Sequence, residues 1–185
     1  MRIISGEYRG RILKSPSDRG KTRPTSDRLR ETLFNILAPR IDNEARFLDL
    51  CAGTGAIGIE AVSRGAAFST FVDKSRRACA LIEENLDRLE IPERQTEIIC
   101  ETAERFVSRQ YPVQWDIAFF DPPYQTDYGI FLYEFGVNAE NILAEDGTLV
   151  IEHHAKNILP DGAGGIRRWR IVKQGETHLS FYERM

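Results

Sequence analysis

The chain has 185 residues, 42% hydrophobic and 29% charged, enough for one domain with a real core. No apolar run approaches the roughly 20 residues that cross a bilayer, and no apolar leader opens the sequence, so a cytoplasmic protein is expected. Its three cysteines (Cys51, Cys79, Cys100) lack C-x-x-C spacing and are odd in number, which argues against a zinc site and a disulfide framework; no metal is expected.

Net charge is −3, but it is unevenly spread. Residues 1–30 hold nine Lys/Arg against three Asp/Glu, whereas the other 155 hold 16 against 25. A basic arm on an acidic body is the footprint of a phosphate-binding extension. Within it, Arg2-Ile3-Ile4 and Arg11-Ile12-Leu13 are β-prone runs that predict a hairpin displaying Tyr8, Arg9 and Arg11. Such side chains can grip phosphates and stack on unpaired bases. Residues 15–23 are loop by composition. Pro24 to Asp27 offers a helix start, Leu29, Leu33, Phe34, Ile36 and Leu37 an apolar face, and Pro39 a stop.

The most informative stretch follows, FLDLCAGTGAIGIEAVSRG from Phe47 to Gly65. Phe47, Leu48 and Leu50 read as a buried strand, Gly53-Thr54-Gly55 as a tight turn, and Ala56 onward as a helix with Glu60 and Arg64 on its polar side. Strand, glycine turn and helix N-terminus together face a ligand, because a Cβ would block close backbone approach. Gly53, Gly55 and Gly58 satisfy G-x-G-x-x-G, and Asp73 ends the next strand (68–72) as a ribose-binding acid would. That much also permits a nicotinamide-dependent oxidoreductase. Asp49 argues otherwise: it lies inside the strand, where it would oppose a diphosphate and favour a ligand carrying an amino group and a sulfonium. D-L-x-x-G-x-G with an acid after the second strand resembles motifs I and II of S-adenosyl-L-methionine-dependent methyltransferases.

Further along, a helix is expected over 75–89, a third strand over 97–100, a short helix through Phe106, and a fourth strand over 115–120. A helix over 128–143, a fifth strand over 147–152 and two closing strands, 166–172 and 178–182, complete the chain. These seven strands predict an α/β, doubly wound, mostly parallel sheet with an antiparallel last strand and ligands at the strands' carboxyl ends.

Asp121-Pro122-Pro123-Tyr124 follows the fourth strand and so falls on that rim. Two prolines fix the backbone, so their carbonyls are expected to face a guest instead of pairing locally. A carboxylate, a fixed carbonyl and an aromatic ring suit a planar base with an exocyclic NH₂. Accepting both N–H bonds frees the nitrogen lone pair for in-line attack on a methyl sulfonium, while Tyr124 stacks on the extruded base. D-P-P-Y resembles motif IV of methyltransferases that act on such amines. His153 and His154 read as structural or surface residues.

MRIISGEYRGRIL, RPTSDRLRETLFNIL, LDLCAGTGAIGIEAVSRGA, DPPY and a G-x-L-V-I-E tail together resemble the bacterial 16S rRNA guanine-N2 methyltransferase family of RsmD type, a Rossmann-like class I methyltransferase family. The resemblance spans nearly the whole chain. It implies methylation of one guanine at N2 in 16S rRNA, on the small ribosomal subunit or its assembly intermediate. A monomer is expected, since nothing in the sequence demands an oligomer. It further implies an RNA-contacting arm over 1–22 and a methyltransferase domain over 23–185, with Arg23 to Thr25 over the cofactor and Arg23 also toward RNA. Cofactor contacts are expected at Thr25, Asp49, Gly53, Gly55, Asp73 and Thr102, the last at the position where the family commonly has an acid or amide for the adenine. An adenine-N6 DNA methyltransferase would share D-P-P-Y but normally needs a target-recognition region for which this chain has no room.

Overall fold

The computed structural model describes residues 1–16, 26–123 and 126–185. The expectations at Arg23, Thr25 and Tyr124 therefore lie outside the described residues. Strands β1 (Arg46–Leu50), β2 (Phe68–Val72), β3 (Thr96–Ile99), β4 (Trp115–Phe120) and β5 (Leu143–His154) run parallel. Strands β6 (Gly162–Ala163), β7 (Ile166–Gln174) and β8 (Thr177–Arg184) complete one sheet in the order β3-β2-β1-β4-β5-β8-β7-β6. The last strand, β8, runs antiparallel to β5, as expected.

Eight strands are present among the described residues where the sequence predicts seven. The addition is β6, two residues whose register is Gly162 with Arg167 and Ala163 with Ile166. A two-residue strand next to a glycine pair has no apolar alternation to announce it. It is held in place because Gly136 has no side chain: a Cβ there would meet the Ala163 carbonyl at 1.9 Å.

Helices cover both faces, as alternation along the strands demands. Phe47, Ile117, Phe119 and Val150 pack under α1 (Asp27–Leu37) and α2 (Ala56–Ser63), with Phe34 stacked on Phe47. Phe71 on the same face meets α3 (Arg76–Leu89) through Ile82 and Leu86. Leu48, Leu50, Ala118, Phe120 and Ile151 face the other way, under α4 (Ala103–Val107) and α5 (Tyr128–Val137). The helix expected over 128–143 is two helices, α5 and α6 (Ala139–Ile142), broken at Asn138. There the Asn138 amide donates to the Glu134 carbonyl at 2.9 Å, competing with helical continuation.

The N-terminal hairpin closes through one antiparallel bridge, Arg2 to Ile12, and through Ile3 N–H to the Arg11 carbonyl. Its fixings lie on the body. Glu60, fully buried, accepts the Ile4 and Ser5 N–H groups at 2.8 and 3.0 Å and the Arg64 Nε–H at 2.8 Å. The sequence places Glu60 on the outer side of α2; the arm is what covers it.

Candidate active site

The glycine turn is bent by three residues with left-handed backbone: Cys51 (φ +62°), Gly53 (+56°) and Gly55 (+75°). For a residue with a Cβ such as Cys51 this costs of order 1–3 kcal/mol, a strain typical of functional loops. Gly55 caps α2 and directs the helix's first N–H groups at the carboxyl rim. Gly58 is required for packing: a Cβ there would meet Phe71 Cε1 at 2.4 Å and Ser69 Oγ at 2.6 Å.

Asp49 is buried at the end of β1, and its Oδ2 accepts the Gly58 N–H at 2.9 Å. Asp73 accepts Gly53 N–H through Oδ2 (2.9 Å) and Ser75 N–H through Oδ1 (2.8 Å), so backbone donors orient this carboxylate at the rim. Asn85 carries no motif signal, yet it holds the loop from behind. Its Nδ2 donates to the Thr54 and Lys14 carbonyls (3.0 and 3.2 Å), and its Oδ1 accepts Lys14 N–H at 2.7 Å. Only its polarity within an apolar helix face offered a clue.

Thr102 follows β3, where its Oγ1 caps α4 by accepting Arg105 N–H at 3.2 Å. Neighbouring Glu101 pairs with Arg105 and Arg109. Asp121 follows β4 directly and stands beside the glycine loop, because Phe120 and Leu50 are register partners. Pro122 is buried, and the Pro123 carbonyl accepts Thr126 N–H at 3.0 Å. This corrects one expectation: the Pro123 carbonyl is satisfied locally, leaving the Pro122 carbonyl as the acceptor to consider beside Asp121. His153 is buried against Ser180 Oγ (2.9 Å) and beside the Tyr128 ring, a structural residue as expected.

Electrostatics separate the ligand classes. Burial raises the Asp49 carboxyl to about 7, against the Gly58 hydrogen bond and with help from Asp73. Burial, then Glu152, then Asp49 push the Asp121 carboxyl well above its ordinary range. A pyrophosphate would meet repulsion here; a sulfonium and an ammonium would meet attraction. A surface cavity of about 320 Å³ around Pro39, Asp42, Asp116 and Asp146 lies at the strands' amino ends, away from these groups.

Residues 1–183 match the model of a family described as conserved hypothetical protein 95. The chain belongs to the RsmD-type family of class I, S-adenosylmethionine-dependent methyltransferases. The ribosomal RNA small subunit methyltransferase D of Escherichia coli K12 is 35% identical over 185 residues, covering 100% of this chain and 90% of that protein. YlbH of Bacillus subtilis is 34% identical over 186 residues, covering 100% and 99%. The solved structure of yhhF from Escherichia coli has a TM-score of 0.83 at 35% identity, covering 100% of this chain and 97% of that one. The acid-lined rim fits the cofactor of this family.

Tyr8, Arg9 and Arg11 come together, but away from the rim. Tyr8 N–H donates to Ser63 Oγ at the end of α2, and Arg11 Nη2 to the Arg88 carbonyl near the end of α3. Those helices start at the rim and run about 12 and 21 Å from it, given their 8 and 14 residues. Arg9 and Arg11 are exposed and Tyr8 is half-buried.

Proposed function

We propose that this methyltransferase modifies the exocyclic N2 of one guanine in 16S rRNA of the small ribosomal subunit or its assembly intermediate. The observation that carries the reading is the adjacency of Asp121-Pro122 to the glycine loop across the Leu50–Phe120 register pair. A base amine seated between them faces the cofactor's methyl group. S-adenosylmethionine supplies an electrophilic methyl on a sulfonium. Gly53, Gly55 and the α2 N-terminus approach it through backbone; Asp73 takes the ribose hydroxyls, Asp49 offsets the positive charge, and the Thr102 position borders the adenine.

Asp121 and the Pro122 carbonyl accept the two N–H bonds of the guanine amine. This returns its delocalised lone pair to nitrogen and aims it along the S–CH₃ axis, so positioning and electrostatics carry the rate. The alkylated nitrogen is acidic enough to lose a proton without a strong base. The arm over 1–22 contacts RNA through Tyr8, Arg9 and Arg11 at a distance from the target base. The names of the relatives support an RNA substrate.

Asp121→Ala tests the assignment. Transfer should fall at least about 100-fold, as when a preorganised polar contact to a reacting group is removed. S-adenosylhomocysteine affinity should stay within a few-fold by calorimetry. A large loss of affinity with transfer retained would remove Asp121 from the amine site.

A further inference from the structure

Glu152 ends the apolar run of β5 and is 8% exposed. It is a register neighbour of the amine site, because Phe120 pairs with Ile151 in the parallel β4–β5 ladder and Asp121 and Glu152 are the next residues. Adjacent strands lie about 4.8 Å apart, so the two carboxyls stand side by side within the span of one base edge. Alternation also puts them on one face. Phe119 and Val150, two residues earlier on each strand, both pack toward α1 and α2, as Asp49 does by its register with Phe119. The high Asp121 carboxyl, raised in part by Glu152, agrees with that closeness.

We propose that Glu152 is the residue that selects guanine, by accepting the N1–H of the target base while Asp121 and the Pro122 carbonyl accept the amine protons. This rests on the guanine-N2 reading above. The count of groups matches. The Watson–Crick edge of guanine presents three neighbouring donors, N1–H and two N2–H, and the rim supplies three acceptors. Adenine presents a lone pair at N1 and so offers Glu152 no donor there, which lets the device discriminate against it without a recognition domain.

The test uses small-subunit RNA carrying at the target either guanine or 2-aminopurine, which keeps the 2-amino group but lacks N1–H. The protein should methylate guanine with kcat/KM about 100-fold or more above 2-aminopurine, the scale on which a site built for a hydrogen bond rejects an analogue without it. In Glu152→Gln the near-isosteric amide can turn an N–H toward a bare N1. The preference should therefore shrink to within about ten-fold, mainly through loss on guanine. Glu152→Asp, which keeps the carboxylate, should retain most of the preference. A wild-type protein indifferent to the two bases would overturn the proposal, and so would a Gln variant whose preference is unchanged. Either result, obtained while guanine N2 is still methylated, leaves the parent reading intact. Absence of N2 methylation by the wild-type protein would overturn both.

Discussion

Asp49 is a buried carboxylate with one hydrogen bond, from Gly58, and burial raises it to about 7. With its folded value above the ordinary 3.8, the folded chain holds more protons than the unfolded one between those limits. This group's contribution to stability therefore falls as pH rises from about 4 to 7. A cationic ligand favours the ionised form, so S-adenosylmethionine binding should release a proton near neutrality and tighten as pH rises from 6 to 8. Calorimetry in two buffers of different ionisation enthalpy measures this release. Asp49→Asn should abolish it, and a release that persists in that variant would assign it elsewhere. At this scale the sequence marked Asp73 and Asp121 because they follow apolar runs, and Asp49 because it interrupts one. Asn85 stayed hidden, since its partners Lys14 and Thr54 lie more than 30 residues away in the chain. The Pro123 carbonyl was misread because its partner, the Thr126 N–H, depends on how the chain continues beyond the prolines.

Among the elements, the N-terminal arm shows how a short basic segment gains a fixed place. Glu60 and Ser63 on α2 take up its backbone N–H groups, and Gly6 (φ +85°) passes so close that a Cβ would meet the Ser63 carbonyl at 1.7 Å. The tip is held at the far ends of α2 and α3; in the proposed function Arg9 and Arg11 serve affinity and orientation by gripping phosphates. Replacing both with alanine should weaken RNA binding and lower the slope of log K against log salt by about 1.4–1.8, slightly under one counterion per lost contact. Filter-binding titrations across salt measure this, and an unchanged slope would remove the tip from the RNA surface. The hairpin itself was legible from its paired β-prone runs. Its docking was not, because a lone glutamate in an apolar helix reads as a solvent-facing group until the segment that covers it is in place. The split of α5 from α6 was missed for a related reason: the apolar pattern runs straight across Asn138.

At the scale of the whole molecule, the parallel order β3-β2-β1-β4-β5 gathers the carboxyl ends of the five strands onto one rim. Apolar periodicity and the glycine turn made this architecture readable, apart from the two-residue β6, which lies at the far edge of the sheet from the site. The rim carries Asp49, Asp73, Asp121 and Glu152 within a chain whose basic residues concentrate in its first 30 positions. An acidic rim is thus combined with a basic N-terminal arm docked a helix length away from it; the proposed function gives the first to the cationic cofactor and the second to the RNA. No helix among the described residues is long and apolar enough to cross a membrane. The central claim is best tested on small ribosomal subunits from cells lacking this protein. They would be incubated with it and methyl-labelled S-adenosylmethionine, and the RNA digested to nucleosides. Label is expected in N2-methylguanosine at a single site; label in another nucleoside, or none in RNA and some in adenine of added DNA, would contradict guanine-N2 transfer.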